Sequence, residues 1–368
     1  MPISAVDSIS PAFQHTKRQL LHPFRFGQWA RLAFVGVLAG EAGSGGGCNF
    51  NVPSIPWQNH QPQQQETQTF LSTYVPPWPA GHPAALVGLI VLAGVLLIGL
   101  VVLFAYINSV MRFVLFDSVI SGECRVRQGW VRRRSEGRRL FRWQIFLMLV
   151  SWASFIVVLG IPAAIAWASG WFTQPSRHVL SLVLIGVVAF LLLMAIFIAL
   201  LVIQVMTKDF VVPQMVLEEI PAMEGWRRLW PAIRMDKGGY AGYIGMKIVL
   251  TIAAGILFGV ASVIVLLVLV IPFVLLAVVA VLAGKAAGLT WGVATITLAV
   301  VAGCIALAIF VFAALMVSVP TVVFFPAYSI YFFAARYPPL AALLPPAPPP
   351  APPSALPVAP DWVLRRAT

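Results

Sequence analysis

The chain has 368 residues, 60% of them hydrophobic and only 10% charged, with a formal net charge of +12 at pH 7. Soluble domains carry about 25% charged residues, so a chain this apolar exceeds what a globular core can bury and takes lipid as its solvent. The basic excess does not point to nucleic acid, because Lys and Arg fall between long charge-free runs, the distribution that the positive-inside rule produces.

The segment from Met1 to Arg31 carries four basic residues before any apolar run begins, which is unlike a secretory signal. Ser10-Pro11 reads as an N-cap followed by proline at the first helical position. A first, short span is expected near 28–42, anchored by Trp29 and ended by Glu41 and the Gly43–Gly47 cluster. Cys48 follows that glycine run, but the Leu of a lipoprotein cleavage site is missing. The stretch from Asn49 to Pro83 is rich in Gln, Asn and Pro, has no basic residue, and is expected to be mobile.

Ala84–Ile107 is apolar throughout. At 1.5 Å per residue it spans about 36 Å, enough to cross a hydrocarbon core of roughly 30 Å. Further spans are expected near 144–168 and 179–206, where no charge interrupts the sequence. The last two apolar blocks, Ile248–Gly284 and Ala286–Ala335, exceed one membrane thickness. Either each is a single span with an extension, near 245–283 and 291–318, or each is a hairpin broken at Pro272 or Pro320. The first option gives six spans and the second eight. Six is favoured, because a hairpin within lipid has free backbone groups to satisfy and Leu266–Leu276 offers only apolar residues around Pro272.

Lys and Arg fix the orientation. Segments 1–31, 108–143, 207–247 and 336–368 hold 4, 9, 6 and 3 of them, against 0, 1 and 1 in 41–83, 169–178 and 284–290. Both termini are therefore expected in the cytoplasm, with the protein in the inner or plasma membrane. Residues 1–337 form an all-α, polytopic transmembrane domain, and 338–368 a Pro-rich, disordered cytoplasmic tail. Eleven prolines between Pro338 and Pro360 favour polyproline II, open to a proline-reading protein partner or simply flexible. The three inner segments share a plan in which a basic, Trp-bearing stretch precedes each hairpin of spans. This predicts three repeats of a basic elbow helix plus a transmembrane hairpin, with Trp130, Trp226 and Trp230 at the interface.

The densest charge is Arg132, Arg133, Arg134, Arg138, Arg139 and Arg142. These residues are candidates for contact with anionic lipid headgroups, or they serve topology alone. Asp209 closes the fourth span at a helix C-terminus, where a carboxylate opposes the helix dipole. It is expected to form a structural ion pair with Arg227 or Arg228. Lys247 and Lys285, at the ends of an apolar block, are explained by snorkelling. Cys48, Cys124 and Cys304 fall on different levels of this topology, so no disulfide is expected. The five histidines have no metal-ligand spacing, and neither a P-loop nor a nucleophile elbow is present. No catalytic residue, metal or cofactor is expected. Small-xxx-small pairs at Gly36/Gly40, Gly255/Gly259, Gly284/Gly288 and Gly288/Gly292 hint at close helix packing.

Three short motifs carry a family resemblance. They are Phe24-x-Phe26-x-x-Trp29, Asp209-Phe210-Val211-Val212-Pro213-x-Met215, and Val319-Pro320 followed by Phe325-Pro326-Ala327-Tyr328. Over roughly residues 1–340 the chain resembles a group of uncharacterised prokaryotic membrane proteins, itself similar to the membrane domain fused to glycerophosphodiester phosphodiesterases. The phosphodiesterase domain, with its His-Arg-Gly and acidic metal ligands, is absent, so the resemblance carries over no catalytic residue. It implies a helical membrane module associated with lipid. Composition and motifs leave three function classes: a non-enzymatic membrane module with lipid or partner association, a transporter or permease for a small or lipidic substrate, and an accessory part of a membrane lipid enzyme.

Overall fold

The computed structural model describes residues 4–22, 24–41, 83–171, 178–286, 288 and 292–344. The glycine run, Cys48, the stretch to His82 and the prolines from Pro345 onward lie outside them. Helix α1 is Ile9–Leu21 and α2 is Phe26–Leu38. A long α3 runs from Pro83 to Ser121. Helix α4, Val126–Phe155, passes through a π-helical turn at Ile156–Gly160 into α5, Ile161–Ala168. Helix α6, Val179–Met206, passes through a second π turn at Thr207–Val211 into α7, Val212–Glu218. Then follow α8 (Ala222–Met235), α9 (Lys237–Ala286), α10 (Val293–Ala334) and a single turn, α11 (Pro338–Ala341). No strand occurs among the described residues.

Among the described residues, five helical runs are long and apolar enough to cross a membrane: Val87–Ser121, Val126–Ala168, Val179–Glu218, Lys237–Ala286 and Thr295–Ala334. Each of the last two apolar blocks is one continuous helix, with Pro272 inside α9 and Pro320 and Pro326 inside α10. Helix α2 has 13 residues and rises about 20 Å, less than a hydrocarbon core.

The packed core lies at one end of the long helices. Phe113, Leu115, Phe210, Met215, Tyr243, Val322, Tyr328 and Phe332 are all fully buried. By contrast, Leu96, Leu103, Leu149, Leu191, Ile256 and Leu307, on the apolar halves of the same helices, are exposed. The exposed halves carry the charge-free runs. The buried halves carry the basic segments, and we call this the basic end.

Two of the three motif segments, 209–215 and 319–328, lie in that core, while the first reaches it only through the half-buried Trp29, with Phe24 and Phe26 exposed. Phe210 packs between Tyr240, Tyr243, Phe332 and Phe333, with ring centroids 5.0–5.9 Å away. Tyr243 stacks on Tyr328 at 5.2 Å, and Phe24 meets Trp29 at 5.5 Å. Burying a ring as fully as Phe210, Tyr243 or Tyr328 contributes about 1.5–3 kcal/mol. Helix α1 seats on α10 and on the end of α3. Tyr328 Oη donates to the Ala5 carbonyl at 3.1 Å, and His15 Nε2 donates to the Val119 carbonyl at 2.8 Å. Since a carbonyl can only accept, His15 carries its proton on Nε2. Its Nδ1 is then free to accept from Tyr331 Oη at 3.3 Å.

Several local expectations change. Helix α1 begins at Ile9 with Ser8 at its N-cap, two residues before the expected cap at Ser10. The basic stretch from Val126 to Arg142 forms no elbow: it continues into the apolar run as the single helix α4. Among the described residues, separate short helices precede the spans at α1 and α8. The segment after Pro338 opens with a helical turn whose Leu340 is buried, so the chain stays packed past 338.

Close approach through glycine occurs at sites other than most of the listed spacings. A Cβ on Gly137 would stand 2.5 Å from Val110 Cγ2 and 3.0 Å from the Val110 backbone, and one on Gly129 would stand 3.1 Å from Val114. Gly129, Arg133 and Gly137 are four apart, so one face of α4 lies against α3. Gly259, Gly288 and Gly292 face open space, whereas Gly36 and Gly40 lie against Val322 and Asn108.

Candidate functional site

Where the charge-free runs meet the packed core, five ionisable side chains from four parts of the chain face one another. They are Glu41 after α2, Arg112 on α3, Lys208 and Asp209 in the second π turn, and Lys247 on α9. Together with Leu115, Phe116, Phe325, Pro326 and Ser329 they line a cavity of about 30 Å³.

Local structure explains how each arrives. At the end of α2, Gly40 adopts φ +72°, and the Glu41 N–H bonds the Gly36 carbonyl at 2.8 Å. This is the left-handed helix stop that glycine favours. Gly40 has a second constraint, since a Cβ there would lie 2.8 Å from Asn108 Nδ2. The turn delivers Glu41 to Lys208, at 2.8 Å. The π turn has a chemical cause in Pro213. Proline has no N–H to bond the residue four back, here Asp209, and its ring crowds that carbonyl. The widened turn over Thr207–Val211 relieves both. Pro162 stands in the same relation to the turn at Ile156–Gly160. Within the second turn Thr207 Oγ1 accepts from the indole N–H groups of Trp143, at 3.3 Å, and Trp226, at 3.0 Å.

Asp209 is 6% exposed. Its Oδ2 accepts from Lys247 Nζ at 2.5 Å and from Tyr243 Oη at 2.9 Å. Lys208 and Lys247 keep only 17% and 15% of their side-chain surface exposed. Arg112 is buried. One guanidinium nitrogen, Nη2, donates to the Ala39 carbonyl at 3.3 Å and to Asn108 Oδ1 at 3.2 Å, while its Nε has no hydrogen-bond partner among the described residues.

Two sequence readings are corrected here. The cation beside Asp209 is Lys247, while Arg227 pairs with Glu224 and Arg228 with Glu218 and Glu224. Arg227 and Arg228 lie on α8 with their side chains toward its exposed face. Lys247 also does not snorkel, since its ammonium is drawn inward to the buried carboxylate. Glu41, Arg112, Lys208 and Tyr243 were not singled out as a group. The available signal was positional, because Arg112, Lys208 and Lys247 each stand within a few residues of the end of a charge-free run.

The arginine cluster divides. Arg133 is buried and grips Asp117 with two nitrogens, at 2.7 and 2.9 Å, with Glu136 at 3.7 Å. Arg139 donates to the Glu219 carbonyl. Arg132, Arg134, Arg138 and Arg142 are exposed, and none has an ion-pair partner among the described residues. Cys124 is buried and Cys304 exposed, and both are free. No group of metal-ligating residues occurs among the described residues.

Residues 3–343 match the model of a family of unknown function, DUF7544, and the chain belongs to that family. No curated protein and no solved structure matches it.

Proposed function

We propose that this chain is a non-enzymatic module of the cell membrane, with its basic end and both termini in the cytoplasm, which holds anionic lipid headgroups. One observation carries the reading. Arg132, Arg134, Arg138 and Arg142 are exposed on the same unbroken helix that becomes an apolar run a few residues later. Arg134, Arg138 and Arg142 are four apart and share a face, where like charges repel unless an anion intervenes. Each basic residue near an anionic surface contributes about 1 kcal/mol, an attraction that salt weakens. The resemblance to lipid-associated membrane domains supports the same reading.

Six crossings fit this placement, although α2 is short. Glu41 lies beside Arg112, whereas Pro83 begins α3 about 43 Å further along the helix. An even number of crossings keeps both termini on the cytoplasmic side in this reading.

Mass spectrometry of lipid co-purified with the full-length protein tests the function. Replacing Arg134, Arg138 and Arg142 by Gln lowers the anionic fraction if the reading holds. An unchanged fraction in a folded protein would leave these arginines to topology alone. Labelling of a cysteine placed at Arg138 tests the orientation, since it reacts with an impermeant reagent only after the cytoplasmic side is opened.

The transporter reading gains one observation, the charged cavity among the helices, because such groups near a membrane are costly and tend to be functional. The cavity's volume suits water or a small ion better than a lipidic substrate.

A further inference from the structure

We propose that the cavity between Glu41, Arg112, Lys208, Asp209 and Lys247 binds one small monovalent inorganic anion, of the class of chloride, against the Arg112 guanidinium. The first support is a charge count. Three cations and two carboxylates line one cavity. Each carboxylate stands within ion-pair distance of a lysine, Glu41 with Lys208 at 2.8 Å and Asp209 with Lys247 at 2.5 Å. Glu41 and Asp209 also act on Arg112 through space, but the cavity keeps one cation in excess, and Arg112, only 7% exposed, is the one without an ion pair among the described residues. A buried charge without a counter-charge is expensive, and a guanidinium cannot shed its proton to escape the cost.

The second support is a hydrogen-bond count. Arg112 Nη2 meets only neutral acceptors, the Ala39 carbonyl and the Asn108 amide oxygen. Its Nε–H is buried with no acceptor among the described residues. Such orphaned donors are rare in folded proteins and mark a missing partner. The partner required here is an acceptor that also carries a negative charge.

The third support is size. A cavity of about 30 Å³ exceeds the roughly 10–15 Å³ that one water needs. It has room for a monatomic anion and is tight for a phosphate group. Its walls from Leu115, Phe116 and Phe325 are apolar, which suits a weakly hydrated halide. The two carboxylates also line the space, and they set the limit of one negative charge, since a divalent anion would meet their repulsion without a further cation.

The experiment uses the full-length protein in nanodiscs of zwitterionic phosphatidylcholine, so that no anionic headgroup competes. Thermal unfolding is followed at constant ionic strength while sodium chloride replaces sodium gluconate, whose anion is too large for the cavity. The expected result is a saturable rise in the midpoint with chloride, reproduced by bromide, and lost in Arg112→Gln but kept in Lys17→Gln on the surface. Should Arg112→Gln fail to fold, anomalous scattering from bromide-soaked wild-type crystals decides, with a peak beside Arg112 Nε expected. Equal midpoints in chloride and gluconate, or no bromide peak in the cavity, would overturn the proposal and leave the cavity to water. A midpoint rise produced by phosphatidylglycerol nanodiscs and indifferent to halide would overturn it too, because the counter-charge would then come from lipid.

Discussion

Lys247 Nζ lies 2.5 Å from Asp209 Oδ2, and the same oxygen accepts from the Tyr243 hydroxyl one helical turn earlier on α9. The two donors on α9 thus clamp a carboxylate presented by a π turn on another part of the chain. Replacing Asp209 by Asn keeps an acceptor for Tyr243 but leaves Lys247 buried without its counter-charge. Removing one partner of a buried pair costs about 3–5 kcal/mol. Unfolding of the purified protein should show a loss of that order for Asp209→Asn. The double variant with Lys247→Met should recover most of it, and a double variant as unstable as the single one would contradict the pairing.

Arg133 and Arg138 are five residues apart on α4 and should behave in opposite ways. Arg133→Gln strips Asp117 of its two-nitrogen grip in the core and should lower stability by about 2–4 kcal/mol. Arg138→Gln removes an exposed charge and should leave the unfolding midpoint nearly unchanged. Its effect should appear in the lipid that co-purifies.

Read along the chain, the apolar runs, the helical class and the division into basic and charge-free segments are all visible, because each rests on neighbours in sequence. The ring of charges is not. Glu41 and Lys208 are 167 residues apart and Asp209 and Lys247 are 38 apart, so no local period links them. In isolation Lys247 is a charge at the edge of an apolar run, which snorkelling explains equally well. Similarly, Arg133 looks like its arginine neighbours until Gly129 and Gly137 turn its face of α4 against α3.

Gly137→Ala should destabilise by about 1–3 kcal/mol, since the added methyl meets the Val110 backbone as well as its side chain. The control is Gly186→Ala on α6, where nothing lies within 4 Å. There the better helix former should be neutral or slightly stabilising. Equal effects at both positions would remove the case for close α3–α4 packing.

Asp236 and Arg336 provide a pH response outside the apolar runs. Their side chains meet at 2.8 Å. The hydrogen bonds from Arg336, and then from the Gly239 N–H, hold the Asp236 carboxyl below its ordinary 3.8. A folded-state value below the unfolded one means that the contribution is complete above the unfolded value and fades as pH falls through the folded one. The contribution is modest, because the Asp236 side chain is 40% exposed. Asp236→Asn should lower the midpoint slightly at neutral pH and flatten its fall in acid. A parallel fall in both proteins would deny the pair a role.

The bond from Tyr328 to the Ala5 carbonyl joins residues 323 positions apart. A ribosome delivers the first helix long before the tenth, so α1 waits through most of synthesis for the α10 side of its seat. Asp209 likewise emerges before Lys247 and must be tolerated unpaired in the interval. Insertion into the bilayer and completion of the fold are therefore separate events for this chain. A polypeptide arrested before Tyr328 would hold its apolar helices in the membrane, with its opening helix docked on the end of α3 alone.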